Sequence, residues 1–344
     1  MKNPWDDPLT KALGGEVRRK GNNTRDLRAE AARVVGGAPE VMVKITGFGK
    51  GAAHMRAHLA YISRDGEVEL ENDRGGMYRD RSDVALLADG WAQDIWTRRV
   101  DQRDTMHLVL SMPPSTSDEA VRNAVREFAK KTFAENHEYV FALHTDESHP
   151  HCHVVVRCEG FDGKRLNPRK ADLQAWRDGF AQALRDEGEA AESTPRHSRG
   201  VIRKSVRQAV AHIEERTVSK VEALKVREVV GEIRAERSGE PPPEKPWKEP
   251  IRAKREETVG AWLEAAGHLA KSNHESDVAL AGDIVAFVKA MPALDTEQDG
   301  IKKRLLGGDS VQHEAKAKIR HAVQAVPTDG KLETAASRRE EADR

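Results

Sequence analysis

Four histidines and two carboxylates fall within the ten residues His144-Thr-Asp-Glu-Ser-His-Pro-His-Cys-His153. Imidazoles at that density mark a metal or catalytic site. The flanks, Tyr139 to Leu143 and Val154 to Val156, are β-branched and aromatic, which predicts two strands joined by a turn over Glu147 to Pro150. Side chains alternate across a strand, so His151 and His153 share a face with Val155, while Cys152, Val154 and Val156 take the other. His144 and Asp146 share a face on the incoming strand. Pairing the two strands as neighbours brings His144 close to His151 and His153. Three neutral imidazoles leave positions open on a divalent ion, which favours a catalytic over a purely structural site. The ligand type suits zinc, manganese or another first-row ion without choosing among them. A lone His-x-His on a strand is more often a satisfied surface pair. Here His144, Asp146 and His149 accompany it, and the metal reading prevails.

A second set of reactive side chains lies upstream. Val41 to Thr46 predicts a first strand, and Gly47-Phe-Gly-Lys-Gly51 turns it into a helix over about Ala52 to Ser63. His54, His58 and Tyr61 are spaced to share one face of that helix. By itself this is an ordinary exposed helix with a tyrosine packed on the sheet.

The remaining elements must hold these two stretches together. Gly66 to Glu71 predicts a short edge strand, followed by a Gly- and Arg-rich loop from Asn72 to Asp80 that contains Tyr78. A helix from Asp83 to about Thr97 carries Val84, Leu87, Trp91 and Ile95 as its apolar stripe. Thr105 to Met112 is a strongly apolar strand closed by Pro113-Pro114, with His107, Val109 and Ser111 on one side. Ser117 caps a helix with Val121, Val125 and Phe128 as its stripe. After the two histidine strands, a helix from about Arg169 to Asp186 carries Leu173, Trp176, Phe180 and Leu184. The expected fold is α+β, a central, largely antiparallel sheet flanked by helices, with a mainly helical C-terminal region.

The 344 residues are 38% hydrophobic, 33% charged and 5% aromatic, a balance that predicts a globular part joined to a long polar one. Formal net charge is zero, so affinity for nucleic acid must come from local patches. Residues 1–39 are polar and predict a flexible or weakly helical arm; 40–205 form the main domain; 206–238 form a charged helical segment; 239–250 a Pro-rich linker; 251–326 a helical region; and 327–344 a disordered tail. Within 251–326 a helical pair is expected over Glu256 to Ala270 and Asp277 to Met291. Cys152 and Cys158 point to one strand face among apolar neighbours and are expected to be core thiols in a reducing cytoplasm. No apolar run is long enough to span a membrane, so no membrane insertion is expected.

Three stretches together resemble the motifs of HUH-type relaxases, the mobilisation nucleases of the P-type class. His144 to His153 resembles the motif in which a hydrophobic residue separates two metal-binding histidines. Ala57-His-Leu-Ala-Tyr-Ile-Ser-Arg-Asp-Gly66 resembles the nucleophile-bearing motif, and Thr105 to Pro113 the intervening strand motif. The likeness covers roughly residues 40 to 205, in family order.

The resemblance implies a bacterial, cytoplasmic enzyme that nicks single-stranded transfer-origin DNA at one site. Tyr61 is then the nucleophile and forms a 5′-phosphotyrosyl intermediate, with Tyr78 as the fallback. His144, His151 and His153 would hold a divalent ion, magnesium or manganese by the family's habit and zinc by the ligand set. Asp146 would orient a ligand histidine or take the tyrosine proton. Glu147, His149 and His107 are possible additional members of the site. Ser111, Lys164, Arg165, Arg196, Arg199, Arg203 and Lys204 are candidate DNA contacts, most of them in basic runs suited to a phosphate backbone. Phe48 and Trp176 could stack on bases, although core packing suits Trp176 better. Implied partners are accessory proteins of the nicking complex and the coupling protein of a type IV secretion channel. A rolling-circle replication initiator shares this chemistry. A metal-dependent hydrolase using activated water, with Tyr61 structural, is the alternative from another class.

Overall fold

The computed structural model describes residues 6–14, 26–93, 99, 101–202, 220–241 and 245–306. Its strands are β1 (Met42–Gly49), β2 (Leu70–Asn72), β3 (Met77–Tyr78), β4 (Thr105–Ser111), β5 (Tyr139–His144) and β6 (His151–Arg157). They form one sheet in the order β1-β4-β6-β5-β2-β3, with every neighbouring pair antiparallel. The β5–β6 hairpin is thus as the apolar flanks predict, and it sits at the middle of the sheet. Its register sets His144 opposite His151, while β4 sets Ser111 opposite His151 on the other side.

Alternation sorts the strand residues into two layers. Met106, Leu108, Leu110, Cys152, Val154 and Val156 point to one face, where they pack against α5 (Asp118–Phe133) and α6 (Lys170–Asp186) through Val121, Val125, Phe128, Phe180 and Leu184. Trp176 belongs to this core, edge-on to Phe133, and so is no stacking platform. Each such side chain contributes about 1.5–3 kcal/mol by leaving water. On the opposite face Val140, Ala142 and Val155 pack against α3 (Gly51–Ile62) and α4 (Arg81–Gln93) through Met55, Leu59, Val84, Leu87 and Trp91. Both cysteines are buried and unbridged, and burial pushes their thiols upward, Cys158 to about 11.

Local chemistry explains the boundaries. Helix α4 begins two residues before the expected Asp83, because Asp80 Oδ1 accepts the Ser82 and Asp83 amides at 2.7 and 2.9 Å and so caps it. Its expected C-terminal end, with Ile95, lies outside the described residues. The strand predicted over Gly66 to Glu71 is corrected: Gly66 is consumed by a turn with φ +96°, and pairing starts only at Leu70. That strand is not the sheet edge either. The loop expected over Asn72 to Asp80 contains β3, which pairs with β2 and takes the edge. A bulge between Ile45 and Gly47 in β1 keeps Gly47 and Gly49 opposite His107 and Thr105. At Gly49 a Cβ would collide with the Thr105 hydroxyl, so any larger residue would have to displace that side chain.

Of the flexible or weakly helical arm expected over 1–39, the described residues include two helices. Residues Asp6–Ala12 form α1 and Leu27–Val35 form α2, the latter capped by Asp26 Oδ1 on the Arg28 and Ala29 amides. Leu9, Leu13, Ala31 and Val34 share one apolar cluster with Trp262, Ala265, Leu269, Leu280 and Ile284. Those partners belong to α8 (Lys248–Leu269) and α9 (Glu275–Ala290), the expected C-terminal helical pair, although α8 starts earlier than predicted. Arg33 donates to Glu192 at 2.9 Å and Thr194 to Glu30 at 2.9 Å, joining α2 to the segment after α6. The chain divides into two units, residues 1–200 with 257–291, and residues 201–256 with 292–344. In the second unit, α7 (Lys220–Ser238) and α10 (Glu297–Leu306) pack through Val226, Val229 and Ile301. The expected tail over 327–344 lies outside the described residues.

Candidate metal centre and nucleophile

The α3 face of the sheet carries the polar residues. His144, His151 and His153 are all buried and each offers a ring nitrogen within 4.8 Å of the others. Their ring centroids lie 4.6 to 5.3 Å apart. The strand register makes this convergence unavoidable, since His144 and His151 are cross-strand partners and His153 is two residues along the same face.

Two hydrogen bonds fix which nitrogens face inward. His144 Nε2–H donates to the Ile62 carbonyl at 2.7 Å, which leaves Nδ1 unprotonated. His151 Nδ1–H donates to the His149 carbonyl at 3.2 Å, which commits Nδ1 and leaves Nε2 for a ligand role. A ligand imidazole usually has its other nitrogen tied to a carbonyl or carboxylate in this way. Burial lowers the His144 pKa, with Arg64 and His151 adding to the effect, and pushes His153 down to about 3. His144 and His153 are thereby kept as neutral donors, and with His151 beside them the set fits a divalent cation of borderline character.

Helix α3 delivers the tyrosine. Its last turn places Tyr61 with its ring 5.7 Å from that of His153, edge-on, and 53% of its surface exposed. Tyr139 is buried, with its phenol pushed up to about 12 chiefly by that burial. Tyr78 lies on edge strand β3 and accepts from Asn72 at 3.3 Å. Of the three tyrosines, Tyr61 is the one with an exposed phenol beside the triad.

The other expected residues separate into distinct places. Glu147 and His149 form a second possible ligand group with His151, more exposed than the triad, and pair with each other at 3.5 Å. Asp146 is exposed and bound to the Arg64 guanidinium rather than to a ligand histidine. His107 does not join the triad. It stacks on His58 with centroids 3.5 Å apart and bonds Thr105 Oγ1 at 3.0 Å. Burial pushes His58 to about 4, with His54 adding to the effect, and His107 to about 3, with His58 and His54 adding, so this stack is neutral. Ser111 is buried in the row of His151. Lys164 is exposed on a turn with Asp162, and Arg165 reaches Glu159 and the Arg103 carbonyl. Arg196 is half-buried in a 3-10 turn, Arg196–Arg199. The Arg199 guanidinium, half-buried, donates to the Ala38 carbonyl. Arg203 and Lys204 lie outside the described residues. Phe48 is half-buried under Arg103, whose guanidinium carbon is 4.3 Å from the ring centroid.

Arg64 belongs to the site as well, although no motif in the sequence marks it. Its Nη2 is 3.5 Å from His144 Nδ1 and its guanidinium carbon is 5.8 Å from the Tyr61 ring centroid. The Arg64-Asp65-Gly66 triplet directly after the helix was the available sign of a tight turn aimed at the site.

A buried histidine triad on an antiparallel sheet, with a tyrosine beside it, is an arrangement of the HUH type, and residues 61–188 match the family model of the relaxase nuclease domain, MobA/VirD2-like. The matched stretch starts at Tyr61 and includes the triad. Similar proteins include the T-DNA border endonuclease VirD2 of Rhizobium rhizogenes, 29% identical over 172 residues, which is 44% of this chain and 39% of that protein. VirD2 of Agrobacterium fabrum strain C58 is 30% identical over 172 residues (44% and 38%), and VirD2 of Rhizobium radiobacter 27% over 189 residues (49% and 43%). The likeness thus spans about two fifths of these relatives' length. Together these findings support a relaxase of the HUH type.

Proposed function

We propose that the protein nicks single-stranded DNA at a transfer origin, at one site and on one strand, by tyrosine transesterification. The observation that carries this reading is the exposed Tyr61 phenol beside the buried His144, His151 and His153 cluster. His144 through Nδ1, His151 through Nε2 and His153 would hold a divalent cation, magnesium or manganese by family and zinc by ligand type. When bound, the cation would act as a Lewis acid on the scissile phosphate and offset its charge.

The chain's own residues do the rest. The Tyr61 oxygen attacks phosphorus, so that the phenol–phosphorus bond forms as the bond to the 3′ oxygen breaks. The phenol gives up its proton, and the departing 3′ oxygen takes one up as a hydroxyl. The downstream strand remains on Tyr61 as a 5′-phosphotyrosyl ester. One phosphodiester has replaced another, so the step needs no external energy source and is reversible. Helix α3 holds the phenol at a fixed distance from the triad, which makes attack effectively intramolecular. Ser111, Lys164, Arg165 and Arg196 are proposed contacts to the strand.

Accessory nicking proteins and a type IV secretion coupling protein are the proposed partners, in a bacterial cytoplasm, and plasmid mobilisation is the proposed setting. Among the described residues no helix is long and apolar enough to cross a membrane.

The test is a denaturing gel of protein incubated with manganese and single-stranded oligonucleotides tiled across candidate transfer origins. A covalent protein–DNA band that disappears with chelator and in Tyr61→Phe is expected. Cleavage without that band would mean that water is the nucleophile, and the hydrolase reading would replace this one.

A further inference from the structure

Immediately after Tyr61 the backbone does something unusual. Arg64 and Asp65 both adopt the left-handed conformation, φ 50° and 56°, and among the described residues they are the two non-glycine residues with positive φ. Such residues persist only where their surroundings over-determine them, and they concentrate at functional sites. The surroundings here are explicit. The Gly66 amide and the Val68 amide both donate to the Ser63 carbonyl, at 2.9 and 2.8 Å. At Gly66 a Cβ would sit 2.3 Å from the Arg81 amide nitrogen, so the turn is clamped against the start of α4.

The clamped turn sends the Arg64 side chain across the site. One guanidinium nitrogen is 3.5 Å from His144 Nδ1, the nitrogen left free for a cation, and it also binds Asp146. The guanidinium carbon is 5.8 Å from the Tyr61 ring centroid. A fold-stabilising ion pair would not require this placement, because both partners are substantially exposed, 38% and 56%, and such pairs contribute little. The ion pair is also a poor reason to hold two residues in a disfavoured conformation.

We propose that Arg64 is a further catalytic residue, whose guanidinium grips non-bridging oxygens of the scissile phosphate between Tyr61 and the histidine triad, and that Asp146 is the positioning residue that aims it. The fork of a guanidinium matches two phosphate oxygens, and its charge opposes the negative charge that grows on them as phosphorus becomes five-coordinate. Without DNA, the same cation beside His144 Nδ1 repels a metal ion. The phosphate relieves that repulsion by coming between the two positive charges. DNA and metal should therefore bind cooperatively. The phosphate role rests on the reading of Tyr61 as nucleophile; the effect on metal affinity does not.

Two measurements on the full chain test it. The first is manganese affinity of DNA-free protein by titration calorimetry; the second is the rate of adduct formation at saturating oligonucleotide. Arg64→Ala should bind manganese several-fold more tightly and form adduct about 10²–10³-fold more slowly. Arg64→Lys, with charge but no fork, should recover only part of the rate. Asp146→Asn should slow adduct formation by a smaller factor. A purely structural role would move both readouts of Arg64→Ala downward together, and that result overturns the proposal, as does an unchanged rate. If wild type forms no adduct while Arg64→Ala still gains manganese affinity, the nicking reading fails and takes the phosphate role with it. An adduct in wild type with no gain in affinity fails Arg64 alone.

Discussion

The two faces of the central sheet are built from the same strands and have opposite chemistry. Residues Cys152, Val154 and Val156 of β6 sink into an apolar layer under α5 and α6, while His151 and His153, their immediate neighbours, open onto the triad under α3. One face buys stability, and the other holds polar groups that burial would otherwise disfavour. A site placed on the interior of a sheet inherits the rigidity of the opposite face. The pairing of β5 with β4 through β6 leaves the histidine nitrogens no freedom to drift apart.

If the faces divide the labour in this way, substitutions on each should have separable effects. The largest is expected for Tyr61→Phe, which removes one exposed oxygen. It should abolish the covalent adduct, a loss of at least about 10⁴-fold, with the melting temperature unchanged by calorimetry. His153→Ala comes next. It should weaken manganese binding by at least about 100-fold in a direct titration, and the far-ultraviolet circular dichroism should stay that of the folded protein. Phe128→Ala, on the other face, should reverse the pattern. Truncating a fully packed aromatic costs about 3–5 kcal/mol in denaturant unfolding, yet adduct formation per folded molecule should hold. Equal damage to adduct formation would break the comparison.

The smallest expected effect is on pH dependence and comes from the His58–His107 stack. The folded-state values are about 4 and about 3, against an ordinary value of 6.5. Between those limits the unfolded chain binds more protons than the folded one, so stability is full above about pH 6.5 and is lost as pH falls toward 4. Thermal melts of metal-free protein across that range should show a steady decline. His107→Phe keeps a stacking partner for His58 without its proton site, and should flatten the decline by a few degrees.

Much of this division is legible in the sequence because it rests on a period of two. His151, His153 and Val155 against Cys152, Val154 and Val156 can be sorted without a structure, and the sorting holds. Helix α3 and its Tyr61 are legible from helical spacing, but the choice of Tyr61 over a packed surface ring comes from the resemblance. Arg64 is not legible in the same way, since its reach depends on a left-handed backbone that an Arg-Asp-Gly triplet permits without requiring. The N-terminal helices are hidden for another reason. Each offers only a few apolar residues, and the partners that bury them lie far along the chain: Arg28 pairs with Asp277, and Leu9 shares a cluster with Trp262. Strand β3 is two residues long, too short for any alternation to register.

The most direct test of the central claim, that the triad and Tyr61 form one transesterification site, is to locate the covalent bond. Wild-type adduct formed with manganese would be digested with nuclease and trypsin and analysed by mass spectrometry. The residual nucleotide mass should appear on the peptide Ala57-His-Leu-Ala-Tyr-Ile-Ser-Arg64, released by cleavage after Arg56 and Arg64. Nucleotide mass on a peptide containing Tyr78 or Tyr139 instead would contradict the account.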